Sequence, residues 1–432
     1  MIRLRRGAFA MALLSFGALA DRAEAQSPMP VTRPASGPRL HFRGQEIFLS
    51  GANLAWFEYG RDFGAQDASD RKAFAAFFAD LRANGGNCAR IWVHTEGDDS
   101  PQWDSQGRVS GLSDRFLDDM GAVLDSAKAH GILVLYSLWS ERLKNNHHEL
   151  VTDTVKTRSY IDKALAPMAR RFRGHPALLA WEVLNEPEGM TPAWGWKDAN
   201  AKTDWRIPVP EIQRFINRLA GAVHRLAPGQ LVTAGSWGFF GSTDIALSGE
   251  GANWWPGPNQ NLYSDARLIA AGGDSLGTLD FYQVHHYDQS FPGILSPFSH
   301  SVGHWKLDKP VLIGEFPAFG LRYRDPKLTI AQAFEAAYQG SYAGALVWQY
   351  NTHDSASTGW WGQARAGAQA LRDAHPGQID PSAFPETPTA VMRHGQGQAR
   401  GPEWRVMGNQ VEVRTGGGGW RRTGDGRAAR KE

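Results

Sequence analysis

The sequence predicts an α/β protein: a (β/α)8 barrel of the TIM type with a short C-terminal β-hairpin and tail. Three observations predict it. Eight short apolar runs alternate with segments of helical period, which implies parallel strands joined by right-handed crossovers. The runs are apolar on both faces, as strands buried on both sides are. An open doubly wound sheet is the main alternative, and it would normally carry a Gly-rich phosphate loop after an early strand. Neither G-x-G-x-x-G nor G-x-x-x-x-G-K-[ST] occurs there. Eight units over roughly 340 residues fit a barrel with insertions.

The chain opens on a basic stretch, Met1 to Arg6, followed by an apolar run from Gly7 to Ala20 and then Ala23-Glu24-Ala25 before Gln26. This is the layout of a secretory signal peptide over residues 1–25. The apolar run is too short for a comfortable membrane span. The expected product is secreted or periplasmic, begins near Gln26 and has no membrane contact once the leader is removed. Residues 26–38, rich in Pro, Ser and Thr, read as a linker. The barrel domain spans 39–378, and 379–432 holds a linker, a strand pair and a Gly/Arg-rich tail.

Within the barrel domain, Leu40 to Leu49 forms a small hairpin leading into the first strand, which ends at Gly51-Ala52-Asn53. Ser69 can cap a helix with Phe74, Phe77, Phe78 and Leu81 on its apolar face. Strand two is Cys88 to Val93, and Ser113 can cap the helix after it. Strand three is Ile132 to Tyr136, and a helix runs from about Val155 to Phe172. Strand four, Leu179 to Asn185, is followed by the helix Glu211 to Arg225. Strand five is Leu231 to Ala234, with a short helix near Ala266 to Ala271. Strand six is Leu279 to Val284, with a weak helix near Ser299 to Trp305. Strand seven is Val311 to Gly314, with the helix Leu328 to Gln339. Strand eight is Ala343 to Trp348, with the helix Gln363 to Ala374. Beyond Gly377, Trp404 to Met407 and Gln410 to Val413 flank Gly408-Asn409 as a hairpin.

Composition narrows the function. A net charge of +2 over 432 residues gives no reason to expect a nucleic acid or an acidic polymer as partner. Tryptophan is abundant, at 17, enough to leave several as flat platforms for the apolar face of a sugar ring. The single cysteine, Cys88, sits in an apolar run and reads as a buried thiol. No Cys/His cluster has zinc spacing, and no cofactor or metal is expected. Oligomeric state has no readable signal, and a monomer is assumed.

In a barrel of this kind the chemistry sits at the C-terminal ends of the strands. Those ends offer Asn53 and Trp56, Arg90, Trp92 and His94, Trp139, Asn185 and Glu186, Trp237, His285 and Tyr287, Glu315, and Trp348. Pro187 stops strand four and leaves Asn185 and Glu186 at its end. The run from Pro310 to Pro317 repeats the arrangement around Glu315. Two acids at two strand ends are the minimum for retaining glycoside hydrolysis.

Asn185-Glu186-Pro187 after an apolar strand, Glu315 ending a later one, Arg90, His285-His286-Tyr287 and Trp348 resemble the clan A glycoside hydrolases, family 5 in particular. Gly51-Ala52-Asn53-Leu54-Ala55-Trp56 is similar to the Gly-x-Asn-x-x-Trp segment of that family's endo-β-mannanases. The resemblance covers about Leu40 to Ala374. It implies Glu186 as acid/base and Glu315 as nucleophile. Asn185 would bond the sugar 2-hydroxyl, and Asn53, Trp56, Arg90, Trp139, Trp237, His285, Tyr287 and Trp348 would surround the substrate. The implied partner is a β-linked polysaccharide or oligosaccharide, with mannan ranked first and β-1,4-glucan second. Where many family 5 cellulases end strand three near a histidine, this chain has Tyr136-Ser137-Leu138-Trp139. Exo action stays open, and so does a catalytically inactive carbohydrate-binding barrel. Glu182 reads as a deeper structural acid, Glu188 as exposed, and His147-His148 as a loop. Trp254-Trp255 and Trp360-Trp361 read as outer sugar contacts, and the loop from Gly189 to Pro208, with Trp194, Trp196 and Trp205, as a wall at one end of the cleft.

Overall fold

The computed structural model describes residues 38–42, 45–143, 147–193, 206–248, 259–353 and 355–380, and four short strands at 390–393, 403–407, 410–414 and 421–422. The leader, nearly all of the linker, most of the tail, and Trp194, Trp196, Trp205, Trp254 and Trp255 lie outside the described residues.

The expected barrel is present. Strands β1 (Leu49–Leu54), β2 (Cys88–Trp92), β3 (Leu133–Ser137), β4 (Leu178–Asn185), β5 (Leu231–Ser236), β6 (Tyr282–His285), β7 (Val311–Pro317) and β8 (Gly344–Trp348) close in sequence order, and β8 pairs in parallel with β1. Close approach at the β1–β2 seam explains Gly51. A Cβ there would lie 1.9 Å from the Cys88 carbonyl oxygen.

Helices stand between the strands where the apolar period placed them, with local differences. Ala68–Ala83 is capped by Asp67 rather than Ser69. The Asp70 amide donates to the Asp67 carboxylate and the Asp67 amide to that of Asp70. The helix expected from Ser113 begins at Phe116, with no side-chain cap at Arg115. Between β6 and β7 the expected helix is only a 3-10 turn, Val302–Trp305, preceded by another at Gly293–Leu295. Pro292, Gly293, Pro297 and Gly303 interrupt any longer helix there.

The barrel interior changes character from bottom to top. Leu49, Cys88, Leu133, Leu135, Leu231, Phe281, Leu312 and Leu346 form an apolar plug at the N-terminal end, extended by Leu40 and Ile47. Cys88 is buried in this plug, and burial raises its thiol pKa. One pleat higher on β2 stands Arg90, and one pleat above that Trp92. The period of two along a strand stacks plug, cation and aromatic in order.

Segments on either side of the barrel strands meet in a second sheet. The hairpin expected at Trp404 to Met407 and Gln410 to Val413 is present as Glu403–Met407 paired with Gln410–Arg414. It belongs to a six-stranded sheet in which Ala390–Arg393 pairs with Glu403–Met407 on one side and with Arg39–Phe42 on the other. Asn87 fastens the barrel floor. Its carboxamide accepts from the Ser50 amide and donates to the Phe48 and Ile379 carbonyls. Asn87→Ala leaves those buried groups unpaired and is expected to lower stability by about 3 kcal/mol, measured by urea unfolding.

Candidate active site

At the top of the barrel, β4 and β7 deliver two carboxyl groups. Pairing slips between Glu182 and Asn185 against β5, and between Ile313 and Phe316 against β8. Such irregularities end regular pairing and re-aim side chains. Glu186 has a left-handed backbone, φ 40° and ψ 51°, and its amide donates to the Gly235 carbonyl. A non-glycine residue in that region stores strain of about 1–3 kcal/mol. Pro187 follows at once and opens a 3-10 turn, so Glu186 is fixed on the strand's last bond.

The guanidinium of Arg90 lies beneath both acids with no solvent exposure. Its five N–H groups make five bonds. Nε and Nη2 hold the Glu182 carboxylate at 2.6 and 2.7 Å. Nη2 also donates to Asn185 Oδ1 at 2.5 Å, and Nη1 donates to Asn53 Oδ1 at 2.8 Å and Glu315 Oε1 at 2.6 Å. The other Glu315 oxygen accepts from the Tyr287 hydroxyl at 2.6 Å.

His285 stands between the two acids, its Nδ1 3.5 Å from Glu315 Oε1 and closer to Glu186. Glu186 Oε1 lies 2.7 Å from that nitrogen. Burial holds the His285 imidazole down to about 4, so the ring is neutral near pH 7, and Nδ1–H can donate to the Glu186 carboxylate. Oxygens of Glu186 and Glu315 lie within 4.8 Å of each other and of a His285 nitrogen. By ligand type these three residues could take a divalent cation. The Arg90 cation bonded to Glu315 and the Glu186–His285 hydrogen bond already occupy that set, which disfavours one.

Burial raises both carboxyl pKa values. At Glu186 it carries the value well above the usual range, and the negative charges of Glu141 and Glu188 add to it. At Glu315 burial is opposed by His285, Arg90 and the Tyr287 hydroxyl. One acid is therefore held toward its neutral form, and the other has partners that favour its anion.

Comparison with known proteins decides what this arrangement belongs to. The family model described as "Cellulase (glycosyl hydrolase family 5)" matches residues 43–354. The chain belongs to glycoside hydrolase family 5. A mannan endo-1,4-beta-mannosidase of Mytilus edulis is 38% identical over 331 residues, which are 72% of this chain and 86% of that protein. A second, of Cryptopygus antarcticus, is 35% identical over 81% of this chain and 91% of its own length. The X-ray structure of the beta-mannanase from the blue mussel superposes with a TM-score of 0.66 at 35% identity, covering 80% of this chain and 99% of that one.

In this family 5 hydrolase the structure brings Asn53, Arg90, Asn185, Glu186, His285, Tyr287 and Glu315 into one bonded cluster. Trp348 joins Trp92 above Arg90, ring centroids 6.0 Å apart, with Trp56 and Tyr287 packed alongside. Asn53 faces inward. Both its N–H groups go to carbonyls, of Gly314 and Val347, and its oxygen to Arg90. It braces Arg90 and has no group left for a sugar. Trp139 departs further from expectation. It is fully buried against His94, Tyr160 and Trp103 and is a core side chain, not a platform. The Trp237 ring is half-buried, edge-on to Phe240 and Phe291. Trp361 is buried, while Trp360 beside it is 37% exposed.

Two acids were misjudged or missed. Glu188, expected exposed, is buried, and its carboxylate accepts from Ser236 Oγ, the Trp237 amide and Tyr263 Oη. Glu141, two residues beyond Trp139, bonds Asn185 and escaped notice because no motif surrounds it. Glu182 is the structural acid it was read as. Gly235 leaves room for it, since a Cβ there would lie 2.5 Å from Glu182 Oε1. Arg90→Met strands the Glu182 charge in the barrel and is expected to lower stability by about 3–5 kcal/mol, read by chemical denaturation.

Proposed function

We propose that this family 5 hydrolase is an endo-β-1,4-mannanase working by double displacement, with Glu186 as acid/base and Glu315 as nucleophile. The observation that carries the reading is the pair of buried carboxyls, within 4.8 Å of each other and in opposed environments. Oxygens that near fall on the side of retaining hydrolysis, whose carboxyl groups stand about 5–5.5 Å apart, rather than the wider spacing of about 6.5–9.5 Å used for inversion. Glu186, kept protonated by burial and its anionic neighbours, gives its proton to the glycosidic oxygen as the bond to the anomeric carbon breaks. Glu315, supported by Arg90 and Tyr287, attacks that carbon and forms the glycosyl-enzyme. Glu186, now ionised, takes a proton from water, and the resulting hydroxide displaces Glu315. Asn185 is assigned to the sugar 2-hydroxyl, and Trp348 and Trp56 to the sugar faces.

Mannan is favoured over glucan because the relatives from Mytilus edulis and Cryptopygus antarcticus, 38% and 35% identical, are both named mannan endo-1,4-beta-mannosidase. Export follows from the leader read in residues 1–25. Among the described residues no helix is long and apolar enough to cross a membrane.

Reducing-sugar release by residues 26–432 on mannan, glucan and xylan tests the assignment. Mannan is expected to be cut fastest, with an early fall in viscosity that marks endo action. Glu186→Ala and Glu315→Ala are each expected to lose roughly 100-fold to 10,000-fold in kcat on mannan. Preference for glucan would make the protein a cellulase on the same site. A fully active Glu315→Ala would remove the mechanism. Because turnover needs Glu186 protonated and Glu315 ionised, the pH profile of kcat/KM should be a bell. Its alkaline limb reports Glu186 and should be absent in Glu186→Ala on an aryl mannoside whose leaving group needs no proton.

A further inference from the structure

Glu141 stands on the loop after β3, half-buried, and its place is specific. One oxygen, Oε2, accepts from Asn185 Nδ2 at 2.9 Å and from the Ser140 hydroxyl at 2.7 Å. The Asn185 carboxamide is thereby held at both ends, its oxygen by Arg90 and one N–H by Glu141. An amide flip would set its NH2 against the Arg90 donors and its oxygen against the Glu141 carboxylate, two repulsions at once. Asn185 is left with a single N–H in reserve.

We propose that Glu141 is a positioning residue of the reaction, fixing the Asn185 carboxamide in one orientation and adding its negative charge to those around Glu186. The proposal rests on the assignment of Glu186 as acid/base. Electrostatics agree with the geometry. After burial, Glu141 is the largest influence raising Glu186, ahead of Glu188, and its charge also acts on His285. The other groups facing Glu186 are Glu182, Glu315, Arg90, His285, Tyr263 and Tyr287, of which Arg90 opposes the rise.

Two substitutions separate the two duties. Glu141→Gln keeps an oxygen that can accept from Asn185 and removes the charge. Glu141→Ala removes both. Without the charge Glu186 loses its proton at lower pH, so the alkaline limb of kcat/KM on mannan should move to lower pH in both variants, by roughly half a unit or more. With the carboxamide released, Glu141→Ala should in addition lose roughly 10-fold to 100-fold in kcat/KM at the optimum, and Glu141→Gln clearly less. The proposal is overturned if both variants keep the limb and stay within about twofold of wild type in kcat/KM. It is also overturned if both lose activity and thermal stability together while the limb stays put, since Glu141 would then be only structural. Glu186→Ala runs beside them. If it keeps the limb, the acid/base assignment falls and this proposal with it. If it loses the limb while the Glu141 variants keep theirs, Glu141 alone is wrong.

Discussion

The site hangs on one buried guanidinium. Arg90 is a cation inside a barrel, and such a charge is tolerated only where every donor is matched and the charge is balanced. Glu182 balances it with a two-point contact, and Asn53, Asn185 and Glu315 take the remaining donors. Five bonds from Arg90 on β2 to four residues on strands β1, β4 and β7 leave the plane of the guanidinium little freedom. The Glu315 carboxylate and the Asn185 amide inherit that fixity. The groups proposed to act on the sugar are thus held by a charge network one layer below them, with the apolar plug beneath.

The same network makes two chemically identical side chains differ. Both acids approach the His285 imidazole, but only Glu315 touches a cation and a hydroxyl, whereas Glu186 lies near Glu141 and Glu188. Burial strengthens both effects, because charges interact more strongly where water is excluded. In the proposed reaction this separation lets one acid hold a proton while its neighbour attacks. The left-handed backbone of Glu186 has a place in this account. It is strain held where the surrounding structure over-determines it, between a slipped strand pair and a proline.

Most of the fold was legible in the sequence because strand and helix periods differ and the eight runs are short and strongly apolar. The helix expected before β7 was not, since its few apolar residues are broken up by Pro and Gly. The six-stranded sheet joining segments on either side of the barrel strands was seen only as two separate hairpins. Pairing between residues some 350 apart, Arg39 with Arg393, leaves no local signal. At the site, Glu186, Glu315, Arg90, His285 and Tyr287 were legible from strand ends and motif. The aromatics were less so. A tryptophan at or just past a strand end can face the cleft, as Trp348 does beside Trp92, or pack into the core under a loop, as Trp139 does. One residue of phase decides between them. Glu188 misled because it follows a proline in a polar stretch. Its burial depends on Ser236 and Tyr263, which are distant in sequence.

The direct test of the account is to find which carboxylate becomes bonded to sugar. In an activated 2-deoxy-2-fluoro-mannoside the fluorine slows both steps while the good leaving group restores the first, so the glycosyl-enzyme accumulates. The account predicts one label per chain, on the peptide that contains Glu315, and none in Glu315→Ala. A label on Glu186, or turnover that inverts the anomeric centre without any labelled protein, would contradict it.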